Sequence, residues 1–451
     1  MFKKILPLNL IISLRMFGLF IVLPVLSIYA LNMPNSNHTM VGIIIGGYAI
    51  TQMFFQVPFG TMSDKIGRKK TIIIGLIIFA IGSLIAGLAT DIYTLLIGRL
   101  LQGAGAIGSV ITATISDVVR EEERGKAMAI MGGSIGIAFA ISMVAGPTIA
   151  AHFGGVSTLF FLVTFLALFS IFILVKYVPN PPVIKHTYLE SDKFKLLENK
   201  DLMKMNITNM LVKGFMTFAF MIIPIVLTKT YGWDKTELYK IYLPAMVVGI
   251  LAMGPAAMIA EKKGKYKLIL LLGVLFLSIA YLLIGMSHTS MLFSVGIIVF
   301  FIGFNMQEPI LQSLASKYAK VHQRGRVLGI FNSFGYFGTF IGGFIGGMLL
   351  DFTSLSTISY GIIVLCVAWA MMIITMNNPA KTKIAYIHLD DTDLTKYQDL
   401  HQFKGCKEWY INDTEHMLVV KYDETVTDED QIRTLLTVNQ NNKGLQNDIL
   451  R

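Results

Sequence analysis

Four ionisable residues lie deep inside apolar stretches of the chain. Arg15 lies within 5–31, Arg99 within 92–116, Lys213 within 205–228 and Glu308 within 291–316. At 1.5 Å per helical residue, Arg15 is about 16 Å beyond Lys4 and Arg99 about 12 Å beyond Asp91. Gln102 follows Arg99 by one turn, and Asn305 precedes Glu308 by one turn. A charge at the centre of a bilayer costs about 2.5–3.5 kcal/mol on insertion scales, so such residues face water or a partner. Glu308 is the one acid among the four. Loss of water favours its protonated form and a close cation favours its ionised form. That makes it a candidate proton carrier, or else the fixed partner of Lys213 or an arginine. For the cations the competing reading is a side chain reaching back to the interface, strongest for Lys213, nine residues from Lys204.

These residues need a membrane around them, and the composition supplies one. Of 451 residues, 54% are hydrophobic and 15% charged, against about 25% charged in soluble domains. A soluble enzyme, a disordered chain and a disulfide-built secreted domain are excluded on these figures, as Cys366 and Cys406 stand in unrelated contexts. Twelve apolar stretches are long enough to cross a bilayer as helices: 5–31, 39–62, 71–89, 92–116, 127–151, 156–177, 205–228, 238–260, 267–286, 291–316, 327–350 and 356–376. We number them spans 1 to 12. Nothing in them alternates as a β-barrel strand would. Span 1 is too long for a cleavable signal and lacks a cleavage pattern. With the N-terminus inside, the inner segments hold 23 Lys and Arg and the outer ones only Lys229, Lys235 and Lys240. This bias predicts cytoplasmic termini in an inner membrane. The pI near 9.3 then reports topology and contact with anionic lipid, not nucleic-acid binding.

An internal duplication organises the spans. Residues 124–142 (RGKAMAIMGGSIGIAFAIS) and 324–342 (RGRVLGIFNSFGYFGTFIG) share a register offset by 200, aligning Arg124 with Arg324 and Ile130 with Ile330. The expected architecture is an all-α membrane protein of two six-helix halves, 1–178 and 205–378, joined by the charged linker 179–204.

Three motifs carry a family resemblance. Gly60-Thr-Met-Ser-Asp64-Lys65-Ile-Gly67-Arg68-Lys69-Lys70 after span 2 resembles the G-x-x-x-D-[RK]-x-G-R-[RK] loop of the major facilitator superfamily. Glu261-Lys-Lys-Gly-Lys265 looks like its degenerate counterpart in the second half. Gly98-Arg99-Leu-Leu-Gln102-Gly103 in span 4 resembles the superfamily's R-x-x-Q-G motif. Gly132, Gly136 and Gly146-Pro147 in span 5 resemble the motif of its proton-coupled antiporters, although Thr148-Ile149-Ala150-Ala151 follows in place of a glycine pair.

The resemblance implies alternating access, with spans 1, 4, 7 and 10 lining a central cavity. It implies a cytoplasmic latch in which Asp64 meets the start of span 11 near Arg326, and Arg68 meets Asp117, joined by Arg120. Gly60 and Gly67 allow close approach and a tight turn. It implies a hinge and seal at Gly146-Pro147. Arg15 stands where many drug antiporters of the superfamily carry an acid. Three cations and one acid would favour anionic, zwitterionic or neutral small-molecule cargo. The expected function is export driven by proton influx. The alternatives are a membrane sensor reporting through the C-terminal appendix, and proton-coupled uptake of an anionic solute. No H-E-x-x-H, Walker loop or Ser/His/Asp pattern suggests an enzyme.

The appendix differs in kind, with 9 basic and 13 acidic residues over 381–451. Lys383–Leu389, Glu408–Ile411 and Met417–Tyr422 read as strands. Leu394, Tyr397, Leu400 and Phe403, and then Ile432, Leu435 and Leu436, read as helical stripes. The order predicts a small cytoplasmic α+β ferredoxin-like domain over 381–438 with a frayed tail over 439–451. It lacks a C-x-x-C pair, and its His388, His401 and His416 are scattered, so neither a metal nor a cofactor is expected. An unknown ligand or partner of this domain, or a passive stabilising role, remains open.

Overall fold

The protein is described from a computed structural model, covering residues 2–178, 200–318, 324–376, 382–388, 405–412, 417–423 and 426–434. Among these residues are twelve helices long and apolar enough to span a membrane, from Ile5–Leu31 to Leu355–Ile374. The linker 179–199, the helical stripe 394–403 and the tail lie outside the described residues. Following the Lys and Arg bias, the end that carries Phe2 is called the inner end.

Two spans depart from the continuous helices predicted. Span 1 is divided into Phe2–Phe20 and Leu23–Leu31. Pro24 has no N–H to give to the Phe20 carbonyl, so the ladder breaks there. Span 4 is divided into Ile92–Ala104 and Gly108–Val118. At the break a Cβ on Gly105 would lie 2.4 Å from the Gly75 carbonyl oxygen, so only glycine lets spans 3 and 4 approach this closely. Asp91 caps the start of span 4, accepting bonds from the Tyr93 and Thr94 amides and the Thr94 hydroxyl. The Thr94 bonds hold its carboxyl below the usual range.

The halves pack against each other at the outer end. One hydrophobic core runs through both halves there, with Ile21, Leu26, Ile44, Phe139 and Met143 from the first and Met216, Phe220, Phe301 and Phe304 from the second. A separate core, with Ile5, Ile11, Phe59, Leu76, Ile111 and Leu174, fills the inner end of the first half alone. Spans 2 and 11 touch backbone to backbone. A Cβ on Gly42 would lie 1.9 Å from the Gly343 carbonyl, and one on Gly347 would lie 2.3 Å from the His38 carbonyl. At the inner end, Cβ atoms built on Gly60, Gly132, Gly136 and Gly329 would meet nothing within 4 Å. With the shared core at the outer end and a core confined to the first half at the inner end, the arrangement is read as closed outside and open inside.

Three strands of the appendix are described, β1 (Thr382–His388), β2 (Cys406–Asn412) and β3 (Met417–Asp423). They form an antiparallel sheet in the order β1-β3-β2. Ala385, Trp409, Leu418, Val420 and Ile432 fill one face. Lys421 Nζ donates to the Lys317 carbonyl at 3.1 Å, joining the sheet to the inner end of span 10.

Candidate functional site

Lys213 on span 7 and Glu308 on span 10 meet at 2.6 Å between Nζ and Oε1. Their side chains are 24% and 38% exposed, although the Glu308 Oε2 atom is itself buried. Glu308 Oε2 has no partner among the described residues. The Lys213 ammonium lies 5.6 Å from the centre of the Phe304 ring. Phe304 packs at 6.0 Å on Phe139 of span 5, which also touches Phe20 of span 1 at 5.0 Å and Phe220 of span 7 at 6.0 Å. Four rings from both halves thus plug the path at mid-depth, and the ion pair adjoins the plug. Single phenylalanines scattered over four helices carry no periodic signal, and sequence reasoning passed over them.

The other charges lie elsewhere. Arg15 is 1% exposed and donates to the Gly105 carbonyl at 2.9 Å and to Gln52 Oε1 at 3.3 Å, with its guanidinium 5.3 Å from the Phe79 ring centre. It closes the end of the half-helix Ile92–Ala104, whose free carbonyls and negative dipole end compensate a cation. Gln52 donates in turn to Tyr336 Oη at 2.7 Å, linking the halves. Arg99 is fully buried. It donates to the Ile44 and Ile45 carbonyls of span 2 and to Gln102 Oε1 at 2.8 Å, over the Tyr48 ring. Gln102 continues to Ser83 of span 3 at 2.9 Å. Asn305 bonds the Phe301 carbonyl and presses on Gly249 of span 8. Of the candidates for the cavity, the structure brings only Lys213 and Glu308 together at the open mouth; Arg15, Arg99 and Gln102 are bound into the first half and Asn305 into the second.

The inner loop motif is assembled within its own half. Arg68 Nε donates to Asp117 at 2.9 Å, and its Nη1 to Ser63 and Asp64. Gly67 takes φ +98° at the turn between spans 2 and 3, a conformation that favours glycine. The Asp64 side chain is 65% exposed, consistent with a latch that is apart when the inner end is open. The neighbouring face of span 2 borders a groove of about 450 Å³ lined by Val57, Pro58, Thr61, Met62, Lys65 and Ile66. The Arg326 side chain lies outside the described ones, and Arg120 directly precedes the helix Glu121–His152. Gly146 presses on the break of span 1, since a Cβ there would lie 2.1 Å from the Ile21 carbonyl. In the second half Glu261 pairs with Lys317 at 2.9 Å. Lys317 stands 200 residues beyond Asp117, and Glu261 matches Asp64, so in the second half the counterpart of Asp64 itself reaches span 10.

Closure at the outer end has its own anchor. Asp351, ending span 11, accepts the His38 and Thr39 amides at 3.2 and 3.0 Å and the Thr39 hydroxyl at 2.6 Å, and lies 2.8 Å from His38 Nδ1. Those amides are orphan donors at the start of span 2. A partly buried carboxylate at a helix start contributes up to about 2 kcal/mol. Asp351→Asn should therefore shift the equilibrium towards the outward-open form by about five- to thirty-fold. Disulfide crosslinking between cysteines at positions 40 and 348 reports it. Unchanged crosslinking would show that Asp351 is not an anchor.

The matching halves, the broken spans 1 and 4 and the closed-outside, open-inside arrangement define an alternating-access membrane transporter. The chain belongs to the major facilitator superfamily, whose family model matches residues 8–343. It is similar to the inner membrane transport protein YajR of Escherichia coli (strain K12), at 34% identity over 94% of this chain and 95% of that one. It is 27% identical to multidrug resistance protein 2 of Bacillus subtilis (strain 168), over 74% of this chain and 85% of the other. The fold superposes on a D-xylose-proton symporter with a TM-score of 0.70 at 14% identity, covering 84% of this chain and 98% of the other. The resemblance read from the loop motifs is thus borne out, and the relatives are transporters rather than enzymes.

Proposed function

We propose that this chain is a proton-coupled secondary transporter of the inner membrane, with cytoplasmic termini, in which Glu308 carries the proton and Lys213 is the charge it exchanges with. The observation that carries the reading is the 2.6 Å bond between them, against the aromatic plug, with both side chains part-exposed and the second Glu308 oxygen unpartnered among the described residues. A carboxyl held by a cation in one state and parted from it in the next takes up and releases a proton as the halves rock. The Asp64, Arg68 and Asp117 network then serves as the inner latch and the Gly146-Pro147 contact as a hinge. Export in exchange for protons is the first reading of direction, supported by the name of the multidrug resistance relative. Uptake of an anionic solute together with a proton is the second, favoured by the charge balance of the pair itself. The order β1-β3-β2 supports a ferredoxin-like appendix, and the Lys421 contact to span 10 supports its following the movement of that helix.

Purified protein in proteoliposomes tests transport against sensing. Counterflow screening with a compound library should identify cargo, and an imposed pH gradient should then drive that cargo uphill. Binding without flux would favour a sensor and overturn the reading.

A further inference from the structure

We propose that the Lys213–Glu308 pair is a binding site for an organic monoanion with an apolar, ring-sized body, and that this anion and a proton bind together. The inference rests on the reading of Glu308 as a protonatable group and commits to the second direction of coupling.

The charge inventory of the open mouth carries it. Arg15 and Arg99 are 1% and 0% exposed and each holds backbone carbonyls; Arg15 Nε and Nη1 have no partner among the described residues but are buried away from the mouth in this state. Lys213 and Glu308 remain, both part-exposed and bonded to each other at 2.6 Å. While both are ionised, the pair is neutral and the ammonium is occupied. A proton on Glu308, whose Oε2 has no partner among the described residues, removes the negative charge. Lys213 is then a lone cation beside the Phe304 ring. An anion fits that state. A cation does not, and against the ionised pair it must displace Lys213 to reach the carboxylate.

The same balance sets the size of the charge and the shape of the cargo. One freed cation compensates one negative charge, so a carboxylate fits and a phosphate dianion does not. Next to that cation lies the plug of Phe304, Phe139, Phe20 and Phe220, with ring centres 5.0–6.0 Å apart. Three of these rings are buried on one another in this state, and where they part as the halves rock they suit an aromatic or branched apolar body, packed edge to face. Coupling between two ligands is reciprocal: if the proton tightens anion binding, the anion tightens proton binding by the same factor. The two then move in one direction, and an inward proton gradient would accumulate the anion.

Three probes with one ring separate the possibilities: benzoate, benzylammonium and benzyl alcohol. In nanodiscs, wild-type protein should bind benzoate about tenfold more tightly for each pH unit of acidification over the range where the site titrates. Adding benzoate to weakly buffered protein should make the medium more alkaline. Glu308→Gln should bind benzoate tightly at every pH, with no proton uptake. Lys213→Gln should lose benzoate binding. Because the Glu308→Gln result is a gain, a folding failure of Lys213→Gln leaves the test intact. Preferred binding of benzylammonium with proton release would overturn the proposal. So would benzoate binding indifferent to pH, or no benzoate binding by either wild type or Glu308→Gln. If this pattern holds while proteoliposomes show no flux, the transport reading fails and the site stands. If flux is proton-coupled but the cation is preferred, the site proposal alone fails.

Discussion

Gly343→Leu is expected to stop transport by holding the outer mouth open. In the closed-outside form a Cβ at position 343 would lie 2.3 Å from the Gly42 carbonyl oxygen, and backbone cannot yield as a flexible side chain does. Over-packing a well-fitted site costs about 1–3 kcal/mol, and here the obstacle is backbone on both sides. Loss of the closed-outside state by about 100-fold or more follows, with transport falling in parallel. The outward-open form parts spans 2 and 11 and should tolerate the side chain, so the variant should fold. Gly361→Ala on span 12 is the control, since a Cβ there meets nothing within 4 Å. Spin labels near the outer ends of spans 2 and 11 should show only the longer distance in Gly343→Leu. Retained transport, or an unchanged distance distribution, would refute the close-contact gate.

Much of this architecture is readable from residue order alone, because each level has its own strong signal. Hydropathy places the spans, the Lys and Arg bias gives their expected orientation, and the shared register of 124–142 and 324–342 exposes the two halves. The site is only half legible. Counting residues fixes how deep a charge lies along a helix but not which way it faces. Arg15, Arg99, Lys213 and Glu308 are all deep, yet two are walled in by carbonyls and two reach the mouth. What turns Arg15 inward is the carbonyl of Gly105 at the break of span 4, and that break depends on how tightly Gly105 sits against Gly75. The Asp351 anchor went unread for another reason. It joins residues more than 300 apart, His38 and Thr39 with Asp351, and exists only in the closed-outside state. Asp64 shows the converse: under the proposed latch its partner at span 11 would belong to the opposite state, which sequence does not distinguish.

The second large effect concerns Glu308. Glu308→Gln keeps the shape of the side chain and the charge of the protonated form, but it can neither take up nor release a proton. It also frees the Lys213 ammonium from its ion pair permanently. A transporter coupled through this carboxyl should then lose uphill accumulation entirely, while exchange of cargo down its own gradient persists. Glu308→Asp shortens the reach to Lys213 by one methylene and should keep partial coupling. An inactive, misfolded variant would lose exchange as well, so the two activities measured together separate loss of coupling from loss of fold.

The decisive measurement is therefore cargo accumulation under an imposed pH gradient, beside cargo counterflow without one, in proteoliposomes of wild-type and Glu308→Gln protein. The account predicts that the wild type does both and that Glu308→Gln retains counterflow with no gradient-driven accumulation. If Glu308→Gln still concentrates cargo under the pH gradient, the proton travels by another route. Glu308 is then only the structural partner of Lys213.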